Sequence, residues 1–223
     1  MTPLFAPTVT NSMARCIPDT IPERLYVKSE ARLSECLRQE LPDDCVLLHS
    51  LNIPGKRAGS DVDSDFVLLH SKCRLVLEVK GGVSNTPRGV WYTSNSKGRH
   101  EITPPFHQAR FNSFDIYDHL KNSFGLGSLG HKGLFGYAII LLDVYLEVPT
   151  IKGDPRRIIG KTELESTYML EIVERQIAVS AQMFKEKFPD NEDPPLLIPS
   201  MSADQMEKQL LKLCAEQMSS LNM

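Results

Sequence analysis

The chain has 223 residues, of which 41% are hydrophobic and 24% are charged, and its formal net charge is −3. This length fits one domain with a sizeable core. The slightly negative charge excludes nucleic-acid binding through overall positive charge, so such binding would need a local basic cluster. The five cysteines include no Cys-x-x-Cys pair, which argues against a zinc ribbon or a disulfide framework. No apolar run has the length of a membrane span, and we expect a cytoplasmic protein without a membrane partner.

The sequence pattern of the first part of the chain, up to Leu51, predicts an arm, a helix and a strand. Residues 1–22 are rich in proline and threonine and predict a flexible N-terminal arm. From Pro22 to Glu40, an apolar stripe among charged residues predicts a helix. That helix ends before Pro42, because proline disfavours helical geometry in the residue that precedes it. The apolar residues of Val46–Leu51 predict the first strand.

The segment Ser64–Gly82 predicts a hairpin of two apolar strands with its turn at residues 71–72. Pairing around that turn places Asp65 directly opposite Glu78, and directly opposed side chains share a face of the sheet. Lys80 lies two residues beyond Glu78 and therefore points to the same face. The hairpin thus gathers two carboxylates and an ammonium group where a buried sheet rarely carries charge.

Two carboxylates at this spacing repel each other unless a proton or a divalent cation lies between them. Mg²⁺ prefers oxygen ligands of this kind, so the hairpin predicts a metal site. The alternative is an ordinary Glu78–Lys80 ion pair on a solvated sheet face. Apolar residues on both sides of the two strands favour the first interpretation, because they indicate that both faces of the sheet are covered.

The rest of the chain alternates predicted strands and helices. The predicted elements, in order, are a short strand at Val90–Thr93, a polar turn at Ser94–His100, a helix from Thr103 to about Asn122, a Gly-rich connector at Gly125–Gly133, a buried strand at Leu134–Val144, a strand at Arg156–Ile159, a helix at Thr162–Lys187, a linker at Pro189–Pro199 and an amphipathic helix at Ser202–Met218. This order predicts an α/β (α+β) fold in which helices cover a mixed central sheet.

Several segments resemble the nuclease-related domain (NERD) branch of the restriction-endonuclease-like superfamily. Asp65, Glu78 and Lys80 form the D…E-x-K arrangement of PD-(D/E)xK nucleases, within S-D-F-V-L-L and L-V-L-E-V-K-G-G. P-P-F-H-Q-A at Pro104–Ala109 and K-S-E-A-R-L at Lys28–Leu33 are similar to two helical segments of the branch. The branch usually has a G-x-E start in its opening helix, whereas this chain has Ser29 before Glu30, and Glu35 is a second candidate for the acidic residue.

The resemblance, which covers roughly Glu23–Val148, and the sequence pattern of the segments outside it together predict a domain layout. Residues 23–148 would form the restriction-endonuclease-like core, with a mixed central sheet flanked by helices on both faces. Residues 149–188 would add a peripheral strand and helix that complete the domain. Residues 189–223 would form a linker and an amphipathic helix, a C-terminal helical extension.

The resemblance also implies an activity, that of an Mg²⁺-dependent nuclease hydrolysing phosphodiester bonds, with DNA as the expected substrate. Asp65 and Glu78, with the Val79 carbonyl, would hold Mg²⁺ or Mn²⁺, and Lys80 would orient the attacking water or stabilise charge on phosphorus. Glu30 would be a further metal ligand, direct or through water. Gln108 would hydrogen-bond Lys80, the water or the phosphate.

Nucleic acid would be guided by basic side chains that flank the site in sequence; they are Lys56, Arg57, Lys97, Arg99 and Arg110. Trp91 and Tyr92 are candidates for base stacking, although a lone tryptophan on a short strand is more often part of a core. Scattered solvated charges are an equally simple interpretation of the basic residues. The alternative function is a non-catalytic module that binds nucleic acid or a partner. In that case the C-terminal helix would serve for homodimer formation or for docking to a helicase-type protein.

Overall fold

The structure is a computed structural model, and it describes residues 13–19, 28–54, 61–85, 90–95, 98–123, 134–144, 153–187 and 214. The predicted connector at Gly125–Gly133 and the predicted linker at Pro189–Pro199 lie outside the described residues. Of the predicted C-terminal helix, Cys214 is described, and it is helical and buried.

The described residues form nine strands and four α-helices. The helices are α1 (Lys28–Glu40), α2 (Pro105–Ser123), α3 (Lys161–Ser166) and α4 (Met169–Lys187). The strands are β1 (Arg15–Ile17), β2 (Val46–Pro54), β3 (Asp61–His70), β4 (Cys73–Lys80), β5 (Val83–Asn85), β6 (Trp91–Asn95), β7 (Gly98–Ile102), β8 (Phe135–Leu141) and β9 (Ile158–Gly160). Within the described segments, no helix combines the length and the apolar character that crossing a membrane requires.

Six strands form a mixed central sheet in the order β1-β2-β3-β4-β8-β9. Strands β2, β3 and β4 are antiparallel neighbours, while β1 pairs with β2, β8 with β4 and β9 with β8 in parallel. The crossover from β4 to β8 carries α2, as a parallel connection requires a long segment that is usually helical. The predicted mixed sheet is therefore confirmed.

Both faces of this sheet are covered. One core cluster lies between the sheet and helices α1 and α4, and its members include Leu33, Leu37, Phe66, Leu68, Leu75, Leu77, Ile172 and Val173. On the opposite face, α2 supplies Ile116 to a cluster with Val67 and Val76. Full burial of each such side chain stabilises the fold by about 1.5–3 kcal/mol. Covering both faces explains why β3 and β4 are apolar at successive positions rather than at alternate ones.

A second, three-stranded antiparallel sheet consists of β5, β6 and β7. It is joined to the main core through Trp91, which is buried and lies edge-on to Phe106 in the first turn of α2 at a centroid distance of 6.5 Å. Trp91 is thus a core residue and is not available for base stacking. This packing fixes the β6–β7 hairpin against the N-terminal end of α2.

Three elements differ from the sequence-based expectation. Strand β1 lies within the predicted arm, because Arg15–Ile17 pairs with β2, a long-range contact that local sequence does not encode. Strand β7 lies in the predicted polar turn, because its exposed residues lack the apolar alternation by which strands are recognised. The single helix predicted at Thr162–Lys187 is two helices, α3 and α4, since Thr167 has extended backbone angles.

Helix α4 packs closely on β8 at Gly136, where the hydroxyl of Ser180 occupies the space that a Cβ atom would need. The buried guanidinium of Arg157 donates hydrogen bonds to Ser180 Oγ at 2.7 Å and to the Tyr137 carbonyl at 2.9 Å. It also lies over the Tyr137 ring. These contacts connect β8 and α4 to the short turn Pro155–Arg157 that leads into β9.

Candidate active site

The β3–β4 hairpin has the register that the sequence predicts. Backbone pairs run from His70–Cys73 to Phe66–Leu77, so the next step of the ladder brings Asp65 opposite Glu78. At that step the Val79 N–H donates a hydrogen bond to Asp65 Oδ2 at 2.7 Å. The Asp65 carboxylate is therefore held against β4 by a backbone amide.

Lys80 bridges the two carboxylates. Its Nζ lies 2.5 Å from Glu78 Oε1 and 3.9 Å from Asp65 Oδ2. The Glu78 side chain is 0% exposed, whereas Asp65 and Lys80 remain 19% and 21% exposed. Because Leu77 and Val79 point into the core under α1 and α4, alternation along the strand places Glu78 and Lys80 on the α2 side. Solvent therefore reaches Asp65 and Lys80 but not Glu78.

Burial and mutual repulsion disfavour two ionised carboxylates here. Burial, reinforced by the nearby charge of Asp65, raises the pKa of Glu78 to about 8, although Lys80 counteracts it. Burial also raises the pKa of Asp65 to about 6, against the opposing effects of Lys80 and the Val79 amide. For Lys80, burial alone would lower the pKa, but the charges of Glu78 and Asp65 outweigh it and the pKa is raised.

Glu30 lies in the first turn of α1, close enough for its charge to raise the pKa of Asp65. Its Oε2 is 3.1 Å from Nε2 of His49, a buried residue of β2. The other candidate, Glu35, is exposed and accepts a hydrogen bond from Gln39 on the outer side of the helix. The structure therefore brings Glu30, and not Glu35, toward the hairpin.

His49 is a residue of this site that the sequence analysis did not select. Its Nδ1 is 3.2 Å from Ser50 Oγ, and its ring packs on Phe66 at a centroid distance of 4.8 Å. Ser50 has a positive φ of 51°, a conformation that non-glycine residues seldom adopt and that often marks functional sites. The available signal was a histidine in the middle of an apolar strand.

Gln108 and Asn112 lie one turn apart on α2, which crosses the face that carries Asp65, Glu78 and Lys80. Asn112 is buried and donates a hydrogen bond to the Asp63 carbonyl at 2.8 Å, so it ties α2 to β3 two residues before Asp65. Gln108 is partly buried. Across the described part of the chain, its side chain makes no hydrogen bond to Lys80. Asn112 is thus a second residue that the sequence analysis missed.

Of the predicted nucleic-acid-binding residues, Arg99 and Arg110 are described and exposed. The Arg99 guanidinium carbon lies 4.0 Å from the centroid of the Tyr92 ring, and that of Arg110 lies 5.6 Å from the centroid of Phe114. Lys56, Arg57 and Lys97 lie outside the described residues.

The donor atoms suit a hard divalent cation. Glu78 Oε2 is buried and has no hydrogen-bond partner within the described structure, so a cation would satisfy an otherwise unpaired oxygen. No group of three or more His, Cys, Asp and Glu side chains with metal-binding geometry occurs in the described ranges. Mg²⁺ commonly binds through only one or two carboxylates and keeps several waters. The Asp65–Glu78 pair, supplemented by a backbone carbonyl, therefore fits Mg²⁺ or Mn²⁺.

Comparison with protein families identifies a family for this chain. The sequence model described as the nuclease-related domain (NERD) matches residues 27–141, slightly more than half of the chain. The matched region extends from the beginning of α1 to the end of β8 and includes Glu30, Asp65, Glu78, Lys80 and Gln108. Neither a curated protein nor a solved structure gave a match to this chain.

Proposed function

Because the chain belongs to the nuclease-related domain family, we propose that it is a divalent-metal-dependent nuclease that hydrolyses phosphodiester bonds in DNA. One observation carries this proposal: Asp65, Glu78 and Lys80 meet on a single face of the β3–β4 hairpin, with an unsatisfied carboxylate oxygen among them. A buried cluster of charges at a partly open edge is costly to the fold and is more readily explained by chemistry than by stability.

Asp65, Glu78 and the Val79 carbonyl would hold the cation, with Glu30 as a further ligand, direct or through a water. When bound, Mg²⁺ or Mn²⁺ would polarise a phosphate oxygen and lower the pKa of the attacking water. The hydrogen bond from the Val79 amide keeps one oxygen of Asp65 oriented along β4, which reduces the ordering that binding requires.

Lys80 would act as a cation rather than as a base. The carboxylates of Glu78 and Asp65 raise its pKa, so its amine stays protonated at neutral pH. A protonated amine in a site of low dielectric constant stabilises negative charge that develops on a phosphate, and it can also orient a water. Gln108, on the helix that crosses this face, would hydrogen-bond the water or the phosphate.

His49 would position Glu30. Its Nε2 lies 3.1 Å from the Glu30 carboxylate, and the Ser50 hydroxyl contacts its other nitrogen. Groups that hydrogen-bond a metal ligand from behind commonly fix the orientation of that ligand. Arg99 and Arg110, with Lys56, Arg57 and Lys97, would contact the phosphate backbone.

The direct test is a cleavage assay. Purified full-length chain is incubated with linear, circular and single-stranded DNA and with RNA, in Mg²⁺, in Mn²⁺ and in EDTA. We expect metal-dependent cleavage that is lost in Glu78→Gln. Glu174→Gln, a change to an exposed residue on α4, serves as the matched control and should retain cleavage. The proposal is wrong if no substrate is cut in either metal, or if Glu78→Gln cuts as fast as the wild type.

The second candidate is a nucleic-acid-binding module without turnover. The Arg99–Tyr92 and Arg110–Phe114 pairs, whose arginines are exposed, favour it, because they suit nucleic acid whether or not the hairpin is catalytic. Binding of the wild-type chain to nucleic acid in EDTA, together with a complete lack of cleavage in Mg²⁺ and Mn²⁺, would support this function over the first.

A further inference from the structure

Helix α2 presents an exposed aromatic stripe to solvent. Phe111 and Phe114 are 64% and 48% exposed, and His107 and Arg110 are exposed on the same side. These four residues have the i, i+3, i+4, i+7 spacing of one helix face, and we call them the α2 ridge. Large apolar side chains at this exposure do not contribute to the core, and an exposed apolar cluster commonly marks a binding surface.

The packing of α2 does not require the ridge. Core contacts of the helix are made by its opposite face, through residues such as Phe106, Ala109 and Ile116, which are all buried. A surface helix normally carries polar residues on its outer side. The two phenylalanines therefore need an explanation other than folding.

The ridge combines ring faces with positive charge. The Arg110 guanidinium carbon lies 5.6 Å from the centroid of the Phe114 ring, and the rings of His107 and Phe111 meet edge to face at 6.3 Å. None of the four ridge residues is acidic. Asp115 beside the ridge and Asp118, one turn beyond Phe114 on the same face, are both partly buried. Such a surface suits a polyanion that also offers flat rings.

A second pair of the same kind lies nearby. On the β6–β7 hairpin, the Arg99 guanidinium lies 4.0 Å from the centroid of the Tyr92 ring. The contact between Trp91 and Phe106 holds that hairpin against the first turn of α2. Two arginine–aromatic pairs thus lie on two elements that this contact holds together.

The ridge lies on the same helix that faces the candidate active site. The buried side of α2 is tied to β3 by the Asn112–Asp63 hydrogen bond, two residues from Asp65. A helix with its side chains is about 10–12 Å across, so a strand held on the ridge needs to span only a few nucleotides to reach the hairpin.

We propose that the α2 ridge binds single-stranded nucleic acid by stacking unpaired bases on Phe111 and Phe114, while Arg110 contacts the phosphate backbone. Stacking requires bases that are not paired, because a duplex encloses the faces of its bases. One consequence of this inference rests on the proposed nuclease function, namely that the chain cuts single-stranded or unpaired regions. Binding itself requires no catalysis.

The test measures binding without cleavage. Fluorescence anisotropy in EDTA follows full-length chain binding to labelled oligo-dT, oligo-U and a blunt DNA duplex, which distinguishes DNA from RNA as the source of the bases. We expect the Phe111→Ala/Phe114→Ala double variant to bind the preferred single strand about tenfold or more weakly, with duplex binding changed less than about twofold. Phe111→Trp should keep the affinity of the wild type.

Tyr168→Ala is the matched control, because Tyr168 is an exposed aromatic residue outside the ridge, at 67% exposure. It should bind like the wild type, and thermal unfolding should show that all variants fold. Equal single-strand affinity of the double variant and the wild type overturns the proposal, as does a wild type that binds no single strand. The proposal is also wrong if the double substitution does no more than convert a dimer of the chain into a monomer, as measured by light scattering.

This experiment separates the two proposals. If the wild type binds single strands through the ridge but cuts nothing in Mg²⁺ or Mn²⁺, the proposed role of the ridge is supported and the proposed nuclease function is wrong. If the wild type cuts nucleic acid and the double variant binds and cuts it equally well, the proposed nuclease function is supported and the proposed role of the ridge is wrong.

Discussion

In the metal-free protein, the Glu78→Gln variant should become more stable than the wild type as the pH rises. Burial and the charge of Asp65 raise the pKa of Glu78 from 4.5 to about 8. Between these values the folded chain keeps a proton that the unfolded chain releases, so the stability of the wild type falls as the pH increases. Glutamine has the same shape and no charge, and therefore removes this loss.

The size of the effect follows from the pKa shift. Each pH unit within the interval changes the free energy of unfolding by about 1.4 kcal/mol for one proton. From pH 5 to pH 7 the wild type should therefore lose about 3 kcal/mol relative to Glu78→Gln. This is a large share of the roughly 5–15 kcal/mol by which most domains are stable.

The assay is urea unfolding in EDTA at pH 5, 6 and 7 for both proteins. Only the change in their stability difference with pH is interpreted, so any constant effect of the substitution cancels. Glu174→Gln, at an exposed site, should show no such change. Saturating Mg²⁺ should restore the free energy of unfolding of the wild type at pH 7 and leave that of Glu78→Gln unchanged. A stability difference that stays constant within about 1 kcal/mol from pH 5 to pH 7 would refute the electrostatic reasoning.

Three further changes test other parts of the site and the fold. Lys80→Met should lower the cleavage rate by about 100-fold or more while nucleic-acid binding in anisotropy stays close to wild type; an unchanged rate would remove Lys80 from the mechanism. His49→Phe, which cannot hydrogen-bond Glu30, should weaken Mn²⁺ binding in calorimetry by about 10–100-fold, and His49→Gln should recover part of it; equal affinities in all three proteins would contradict a positioning role. Gly136→Ala should cost about 1–3 kcal/mol in urea unfolding, because its Cβ would collide with the Ser180 hydroxyl, and Ser180→Ala in the same chain should relieve part of the cost; an additive loss would contradict that explanation.

The hairpin could be predicted from sequence because its information is local. Two apolar runs around a short turn determine the pairing register, and the register alone brings Asp65 opposite Glu78 and puts Lys80 on the same face. The mixed sheet with helices on both faces followed from the same apolar patterns. Membership of the family followed from the motifs around these residues, and the match to residues 27–141 confirms it.

The rest depended on contacts between distant segments. His49 meets Glu30 across 19 positions of sequence, and Asn112 meets Asp63 across 49, distances over which hydrophobic periodicity carries no information. Strand β1 was missed for the same reason, since its pairing partner is β2. The α2 ridge became visible only when the buried face of the helix was known, because an aromatic residue on a helix is predicted to be core by default.

By itself, then, the sequence determined which charged residues share the central hairpin and which family the chain belongs to. These properties depend on strand alternation and on short motifs, both of which are local. The tertiary structure decided that Glu30 rather than Glu35 faces the hairpin, that Trp91 belongs to the core, and that Phe111 and Phe114 face solvent. Those outcomes depend on which helix packs on which face of the sheet, a choice that is made by the packing of the whole chain.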